Sequence, residues 1–426
     1  MATARIVRTF GAVNIGSFRI SAMIAGLTET GEMVVLGSGH RAAQGIKRGY
    51  VTDMQAATYA VRDAVERAEK LANTAVSSVW IGSSGAGLAS QVAQVEIDIG
   101  GRRIEEDDIE HLLVAAQGVI QPDGRMVLHA QPAHYTLDGA DGVSDPKGLH
   151  AERLGVDIHV MLADGAPIRN ITEAVQNAHL QVEAVVGSPI AAGYACLSPE
   201  ERDLGVALIE FGAEVTNVSV YAAGMLLGLV TIPMGSGDVT DAIASAFGIR
   251  RFQAERLKCV HGSAIASPSD HREMIPVNAP GDEMTGPIAR HADDKNRIPR
   301  AELISVITEQ MARLMDEVSR ALKSLGFTGQ RGQQIVLTGG GAELAGLADY
   351  AQSALGKPVR IGRPLHIKGL PEAHATPGFS TLTGLVLYAA ADPIDIRKVG
   401  RAKQDITRFD KLGLAGRVYR ALREYF

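Results

Sequence analysis

The chain has 426 residues, of which 46% are apolar, enough for a large buried core spread over about two to four domains. Its 42 lysines and arginines are outnumbered by 48 aspartates and glutamates, so the charge gives no sign of a nucleic-acid-binding protein. The first residues lack the apolar core of a signal peptide and no run of about 18 apolar residues occurs, so we expect a cytoplasmic protein that does not span a membrane.

The first predicted unit, residues 1–83, combines a sheet with one helix. Residues 10–39 alternate apolar and polar side chains around a hairpin turn at Gly31. A helix is predicted to begin after Asp53, a favourable N-cap, because apolar residues then recur at helical spacing. These residues are Ala57, Val61, Ala64, Val65, Ala68 and Leu71. The segment "SSVWIGSSG" is then predicted to be a buried strand that ends in a loop of small residues.

An inserted module is predicted over residues 84–164, where the sequence changes in character. "EEDDIEHLLVAAQGVI" indicates a charged helix, and "RMVLHAQPAHYTL" and "LGVDIHVMLA" indicate two strands joined by a connector rich in Gly and Asp. Because the flanking segments fit better as neighbours of each other, we interpret this stretch as a small α+β subdomain. Residues 165–203, with one helix and one strand, return to the first unit.

The pattern of the first strands is repeated in the second half of the chain. From residue 204, "GVALIEFGAEVTNVSVYAAGMLLGLVTIPMG" again gives an apolar strand, a polar residue, a tip of small residues and two further strands. Asn14 in the first copy corresponds to Glu210 in the second. Such a duplication predicts two similar sheets that face each other across a cleft. The tips of the two copies contain Gly16, Ser17, Gly212, Ala213 and Glu214.

The second predicted lobe covers residues 204–390 and includes a subdomain around residues 250–325. Two helices follow the repeated strands, then a polar stretch rich in Pro and Gly, and then a long helix, "AELISVITEQMARLMDEVSRALKSLG". The next strand ends in Gly339, Gly340 and Gly341, a turn that lets the backbone pass close to a flat or phosphorylated ligand. A tight connection between strand and helix that binds no ligand is the alternative interpretation.

The C-terminal segment indicates membrane attachment. Residues 391–404 are polar and charged like a linker, and residues 405–426 form a predicted amphipathic helix with arginines beside its apolar face. Nine basic and three acidic residues from Arg397 onwards favour an anionic membrane surface. A terminal helix docked on the protein's own core is the alternative. The predicted membrane anchor consists of Phe409, Leu412, Val418, Tyr419, Leu422 and Phe426 with Arg417, Arg420 and Arg423.

The two cysteines, Cys196 and Cys259, lie among apolar neighbours. Neither has a His or Cys at metal-ligand spacing. We therefore expect reduced, buried thiols rather than a disulfide or a metal site.

Together, these stretches resemble the actin-like ATPase superfamily and, within it, the bacterial cell-division FtsA family. The resemblance to FtsA covers nearly the whole chain and is carried by "GIKRGYVTDMQAA", "VLHAQPAHYTLDG", "DPKGLHAERLGVDIHVM", "LSPEERDLGVALIEFG", "AERLKCVHG" and "RPLHIKGL". It implies an α/β, actin-like two-lobed fold with duplicated sheet units, a small inserted α+β subdomain and a nucleotide between the lobes. The two phosphate loops would be "NIGSF" and "EFGAEVTN", and the adenosine turn would be "VLTGGGAELAGL".

Both phosphate loops depart from the pattern of the superfamily. Asn14 stands where the first loop has an Asp, and Glu210, Glu214 and Asn217 alter the second loop, which is normally Asp-Ile-Gly-Gly-Gly-Thr-x-Asp. These changes weaken the hold on Mg²⁺ and on an attacking water, and Glu214 adds repulsion toward phosphate. We therefore expect a pseudo-ATPase with no catalytic residue, doubtful Mg²⁺ binding and weak or absent ATP binding.

The nucleoside side of the predicted site is better preserved. "GGGAEL" is intact, and Glu255 and Lys258, one helical turn apart, match family residues that reach the nucleoside. An ordinary ion pair between these two residues is the alternative. Adenosine binding beside a damaged phosphate site is an intermediate outcome, and an actin-like ATPase that retains nucleotide binding stays open as an alternative function.

The resemblance also implies partners and a location. Members of the FtsA family tether FtsZ filaments to the inner membrane, recruit other division proteins and self-associate into filaments or mini-rings. We expect the partly acidic C-terminal tail of FtsZ to contact Arg297 and Arg300 at the start of the long helix, with a solvated helix N-terminus as the alternative. The implied location is the cytoplasmic face of the inner membrane at the division septum, with peripheral attachment.

Three other classes of protein fit the sequence less well. A pilus-assembly actin-like protein shares the inserted module but has no need for an amphipathic C-terminal helix, and it is the most serious alternative. A sugar-kinase-like enzyme needs a catalytic Asp and an intact phosphate hairpin. A chaperone-type ATPase needs a peptide-binding domain, for which the chain has no residues left.

Overall fold

The chain forms two compact units in a computed structural model. The first unit contains Met1–Ala89 and Ala163–Asp392, and the second contains Ser90–Leu162 together with the segment that begins at Pro393. The residues that the structure describes are 5–85, 87–278, 297–327 and 333–399.

Both units combine strands and helices. The strands are β1 (Ile6–Ile15), β2 (Arg19–Thr28), β3 (Met33–Ala42), β4 (Ile46–Lys47), β5 (Tyr50–Val51), β6 (Ser78–Ser83), β7 (Ala89–Asp98), β8 (Met126–Leu137), β9 (Ala140–Val143), β10 (Arg153–Ala163), β11 (Gln181–Gly187), β12 (Val206–Phe211), β13 (Thr216–Ala222), β14 (Met225–Ile232), β15 (Met274–Pro276), β16 (Arg297–Pro299), β17 (Gln334–Thr338) and β18 (Val359–Ile361). The helices are α1 (Met54–Ala72), α2 (Glu106–Val119), α3 (Gly165–Asn177), α4 (Ser188–Cys196), α5 (Pro199–Leu204), α6 (Ser236–Phe247), α7 (Arg251–His261), α8 (Arg300–Ser324), α9 (Leu347–Leu355) and α10 (Ser380–Ala391).

The first unit is built on two five-stranded sheets with the same strand order. The sheet of the first lobe runs β11-β6-β1-β2-β3, and the sheet of the second lobe runs β18-β17-β12-β13-β14. In each lobe the first strand pairs antiparallel with the second and parallel with the fourth. The register places Asn14 opposite Gly82 and Glu210 opposite Thr338, so the two polar residues occupy equivalent positions. The predicted duplication is confirmed.

Helix α1 lies directly on the first sheet. The side chain of Asp53 accepts a hydrogen bond from the N–H of Ala56 at 3.0 Å and caps the helix as predicted. Small residues allow the close approach, since a Cβ atom on Gly39 would lie 2.4 Å from the carbonyl oxygen of Ala64. Leu71 was predicted on the buried face but is 68% exposed, and the sheet is instead approached at this end of the helix by the small residue Ala72, next to Gly37.

Helix α8 supplies much of the core of the second lobe. Its buried residues recur every three or four positions, so one face of the helix is apolar along its whole length. This face packs against α6, α9, β13 and β14. The buried residues of α8 are Leu303, Ile304, Ile307, Met311, Leu314, Met315, Val318, Ala321 and Leu322.

Two further helices, α4 and α10, are buried between the sheets. They pack against each other, and α4 contacts strands of both lobes. The contact is close, since a Cβ atom on Gly384 would lie 1.7 Å from the carbonyl oxygen of Ala191. Nearly every residue of both helices is buried, so neither has the one-sided apolar periodicity that would have predicted it.

The second unit contains a four-stranded sheet in the order β7-β10-β8-β9 and the helix α2. The predicted helix and the two predicted strands correspond to α2, β8 and β10. Strands β7 and β9 are additional. The unit begins at Ser90 rather than at residue 84, because the preceding loop belongs to the first unit.

The segment 393–399, called here the tail root, is bound to the second unit. Ile396 is fully buried, and the side-chain amide of Gln117 donates to the carbonyl oxygens of Ile396 at 2.6 Å and Val399 at 2.9 Å. The guanidinium of Arg397 donates to the carbonyl oxygen of Val127 at 2.6 Å and to that of Leu128. The prediction of a linker over residues 391–404 is therefore corrected at its start, where α10 ends at residue 391 and the tail root follows.

Candidate functional site

A cleft of about 410 Å³ opens between the two lobes of the first unit. Its walls are the tips of the β1–β2 and β12–β13 hairpins, part of α7 and the turn that follows β17. The structure thus brings together all the residues predicted for the nucleotide site. They are Asn14, Gly16, Ser17, Glu210, Gly212, Ala213, Glu214, Glu255, Lys258, Gly339, Gly340 and Gly341.

The carboxylate of Glu210 is held inside the protein. Its Oε1 accepts a hydrogen bond from the hydroxyl of Thr381 at 2.5 Å. Its Oε2 accepts from the hydroxyl of Ser188 at 2.5 Å and from the side-chain amide of Asn217 at 3.0 Å. The amide oxygen of Asn217 in turn accepts from Thr231 at 2.8 Å. Because these side chains already bond both oxygens of Glu210, the carboxylate has little left to offer a metal ion or a water.

The equivalent position in the first lobe carries no charge. Asn14 holds the position in the first lobe that Glu210 holds in the second, and its amide is neutral. Across residues 5–85, 87–278, 297–327 and 333–399, no group of three or more His, Cys, Asp or Glu side chains is placed to hold a metal ion. Of the two equivalent strand-end positions, only that of Glu210 therefore carries a carboxylate, and this carboxylate is already bonded within the protein.

Glu214, at the tip of the second hairpin, contacts the first lobe. Its carboxylate accepts a hydrogen bond from the backbone N–H of Arg48. Arg48 lies in the turn between β4 and β5. The negative side chain is thus paired with a donor from the other lobe and also contributes to the wall of the cleft.

The side chains predicted for the nucleoside side are bonded to each other. Lys258 Nζ lies 2.8 Å from Glu255 Oε2 and donates to the carbonyl of Ser236 at 2.9 Å and the hydroxyl of Thr240 at 2.8 Å. Burial by itself would raise the pKa of Glu255, but hydrogen bonds from Lys258 and Thr240 outweigh burial and lower it. A nucleoside at this wall would have to compete with these bonds.

The glycine turn after β17 packs against the second hairpin. A Cβ atom on Gly339 (φ +85°) would lie 2.5 Å from the carbonyl oxygen of Phe211, and one on Gly341 would lie 2.4 Å from the Phe211 ring. A Cβ atom on Gly340 would meet nothing within 4 Å. Two of the three glycines are therefore required by the protein's own packing, and Gly340 faces open space in the cleft.

Several residues of the cleft were not predicted from the sequence. Arg19 follows the first tip, donates to the carbonyl of Gly378 at 2.7 Å and lies 3.8 Å over the ring of Phe379. Burial lowers the pKa of Arg19, with the charge of Glu343 acting in the opposite direction. Thr381 was missed because it belongs to α10, which the sequence pattern does not predict. Arg19 could have been predicted as a cleft residue, because it is a cationic residue two positions after the predicted tip.

The two arginines predicted to bind an acidic peptide differ in their surroundings. Arg297 is exposed on β16. The guanidinium of Arg300 forms an ion pair with Asp270, whose side chain is 2% exposed, and also bonds the carbonyl of His261. Replacing Arg300 would leave the buried carboxylate of Asp270 without its ion-pair partner, so we expect the replacement to lower the stability of the protein.

The predicted membrane anchor, residues 405–426, lies outside the described residues. Of the helices in the described ranges, none combines the length and the apolar character needed to cross a membrane. The expectation of two buried thiols is half correct, because Cys196 is buried whereas Cys259 is exposed on α7 and lines the cleft.

The sequence is similar to models and members of one family. The family model "Cell division protein FtsA" matches residues 207–384, and the model "SHS2 domain inserted in FTSA" matches residues 85–162. The cell division protein FtsA of Agrobacterium fabrum is 34% identical over 394 residues, which are 90% of this chain and 87% of the relative. The cell division protein FtsA of Escherichia coli K12 is 30% identical over 377 residues, covering 88% of this chain and 89% of the relative.

Solved structures share the fold at low sequence identity. A chain of the "PilM-PilN type IV pilus biogenesis complex" has a TM-score of 0.61 at 16% identity and covers 90% of this chain and 99% of its own. MreB5 of Spiroplasma citri bound to ADP has a TM-score of 0.51 at 13% identity, with 91% and 97% covered. These likenesses concern the fold alone, and they confirm the predicted actin-like α/β architecture.

Proposed function

Because the chain belongs to the FtsA family of cell division proteins, we propose that it is an actin-like adaptor that tethers FtsZ filaments to the inner membrane and recruits other division proteins. The observation that carries the adaptor role is the state of Glu210, whose carboxylate is bonded within the protein. A cleft built in this way favours work by binding over hydrolysis. Peripheral attachment at the division septum and self-association into filaments or mini-rings belong to the same proposal.

The nucleotide part of the proposal is a cleft with a degenerate phosphate side. Three features support it: the internal bonds of Glu210, the neutral Asn14 and the negative charge of Glu214 on the cleft wall. The wall formed by Glu255 and Lys258 and a cleft of about 410 Å³ are still available to a nucleoside. Weak adenosine-side binding with no useful hydrolysis follows, and an ATPase with retained nucleotide binding is the competing interpretation.

Mg-ATP is expected to bind the unmodified protein with a dissociation constant in the millimolar range or weaker, as measured by isothermal titration calorimetry. Glu214→Gly removes a negative charge from the phosphate side and should tighten binding about fivefold, since the interaction of two solvent-exposed charges contributes on the order of 1 kcal/mol. Glu372→Gln, an exposed change outside the cleft, is the matched control. Micromolar Mg-ATP binding by the unmodified protein would contradict the degenerate site.

The membrane part of the proposal rests on the composition of the C-terminal tail. Large apolar side chains at helical spacing with arginines at their borders are typical of a helix that lies in the headgroup region. A single short helix binds reversibly, and self-association would add valency and make attachment firm.

Deleting residues 405–426 is expected to abolish pelleting of the protein with vesicles that contain anionic lipid. In a mixture with FtsZ filaments and vesicles, the filaments should reach the membrane only when the tail is present. Replacing Arg417, Arg420 and Arg423 with Gln keeps the apolar face and should weaken binding by about two orders of magnitude, at about 1 kcal/mol per arginine. Unchanged pelleting of the truncated protein would contradict the proposed membrane anchor. Vesicles of neutral lipid serve as the control surface.

The FtsZ part of the proposal places the acidic peptide at the start of α8. Arg297 is exposed there and available to a carboxylate of the peptide. The guanidinium of Arg300 already forms ion pairs with Asp270 and Glu273. We assign Arg297 the direct contact and Arg300 the support of the surrounding structure.

A pilus-assembly actin-like protein is the second candidate, favoured by the TM-score of 0.61 to the chain of the PilM-PilN complex. That likeness concerns the fold alone. The vesicle reconstitution separates the two functions, because a pilus-assembly protein has no reason to bring FtsZ filaments to a membrane.

A further inference from the structure

The tip of the second hairpin is fixed to its own lobe by the start of α6. The N–H of Ser236 donates to the carbonyl of Gly212 at 2.9 Å, and the N–H of Gly237 donates to the carbonyl of Ala213 at 2.6 Å. N–H groups at the start of a helix have no partner within the helix and readily bind anions. Here the tip occupies two of these donors, so the backbone immediately before Glu214 is fixed.

From this tip, Glu214 reaches across to the first lobe. Its carboxylate accepts a hydrogen bond from the backbone N–H of Arg48. Arg48 (φ +50°) and Gly49 (φ +81°) form a left-handed two-residue turn, and Lys47 pairs with Tyr50 beside it. This pairing fixes the turn, so the N–H of Arg48 is presented to Glu214 at a defined place.

A third segment packs against the same junction. Val215 is buried next to Glu214. A Cβ atom on Gly85 (φ +86°), in the loop after β6, would lie 2.9 Å from the carbonyl oxygen of Arg48 and 3.3 Å from a methyl carbon of Val215. Two loops of the first lobe and the tip of the second therefore meet closely. The hydrogen bond between Glu214 and Arg48 is itself exposed to solvent, and the charge of the carboxylate makes it stronger than a bond between neutral groups.

We propose that Glu214 is a latch that joins the two lobes and keeps the cleft closed in the absence of a ligand. The carboxylate of Glu214 places a negative charge at the hairpin tips, where an anionic ligand would otherwise place one. The inference rests on the proposed function, since it explains how a protein with a degenerate phosphate side keeps its lobes in one arrangement. An anionic ligand has to displace Glu214 from Arg48 or bind beside its charge.

The latch can be tested by measuring hydrogen–deuterium exchange of the Arg48 backbone amide in the full chain without nucleotide. In Glu214→Ala, the amide of Arg48 is expected to exchange at least about tenfold faster than in the unmodified protein, because its acceptor is gone. Segments 14–19 and 339–343 of the cleft wall should also exchange faster, since the lobes separate more often. An unchanged Arg48 amide, or a change confined to that amide, would overturn the latch.

Two variants separate the carboxylate of Glu214 from the side chain of Arg48. Arg48→Gly keeps the N–H and the left-handed turn, so protection should persist, and its loss would show that the arginine side chain shields the amide instead. Glu214→Gln keeps a carbonyl acceptor without the charge and should give intermediate protection. Unaltered exchange in α8 confirms that each variant is folded.

The outcomes separate this inference from the proposed function. The vesicle and FtsZ experiment can fail while Arg48 protection still depends on Glu214, in which case only the adaptor role is lost. Conversely, equal exchange in Glu214→Ala and the unmodified protein removes the latch and leaves the adaptor role standing.

Discussion

Replacing Arg300 with alanine is expected to lower the free energy of unfolding by about 3 kcal/mol, measured by urea denaturation at pH 7. Asp270 is 1% exposed, and Arg300 is its ion-pair partner. Removing one partner of a buried pair leaves an uncompensated charge, which typically costs about 3–5 kcal/mol. The guanidinium also bonds the carbonyl of His261 at 3.2 Å, so its loss frees a second group.

Arg297→Ala is the matched control for this prediction. Arg297 is exposed three residues earlier, and its replacement should change stability by no more than about 0.5 kcal/mol. Adding Asp270→Asn to the Arg300→Ala variant should recover part of the loss, because the buried charge disappears. Equal stability of Arg297→Ala and Arg300→Ala would show that Asp270 does not need Arg300. Pull-down with an FtsZ tail peptide is therefore interpretable for Arg297→Glu, whereas any effect of an Arg300 variant is mixed with unfolding.

Lowering the pH from about 6.5 to 4 is expected to remove about 3 kcal/mol of stability through His159 alone. Burial lowers the pKa of His159 from 6.5 to about 4. The folded protein therefore binds this proton less readily than the unfolded chain, so stability is intact above pH 6.5 and falls as the pH drops toward 4. The neighbouring His129 has its pKa lowered by burial first and then by the charges of His159 and Arg397, which adds to the same trend.

Urea denaturation at several pH values measures this effect. His159→Asn replaces the imidazole with a side chain that does not titrate, so its stability should vary less between pH 7 and 4 than that of the unmodified protein. His179→Asn is the control, because His179 is exposed and its left-handed backbone (φ +66°) suits asparagine. A pH dependence that is the same in all three proteins would rule out His159 as the source.

The cleft was predictable because its signals are local in sequence. A polar residue at a strand end and a tip of small residues mark each hairpin, and three glycines after a strand mark the turn near Phe211. The register then places Asn14 and Glu210 at equivalent positions, as the duplication requires. These local signals, together with the resemblance to the FtsA family, thus located the walls of the site.

What the sequence did not predict depends on contacts between distant residues. Glu214 and Arg48 are 166 positions apart, and Arg300 and Asp270 are 30 apart, so no short pattern links them. The partners of Glu210 were hidden for a related reason. Thr381 lies in α10 and Ser188 in α4, two helices without amphipathic periodicity because they are buried on nearly all sides.

The tail root is the segment through which a pulling force on the C-terminal tail would reach the rest of the protein. Gln117 and Arg397 connect it to α2 and β8 by hydrogen bonds that are spread along the segment, and Ile396 is buried among them. A pull on the chain beyond Val399 therefore loads several bonds at once. If the tail holds a membrane while FtsZ filaments constrict, the force on the tail enters the described part of the protein through the tail root and the second unit.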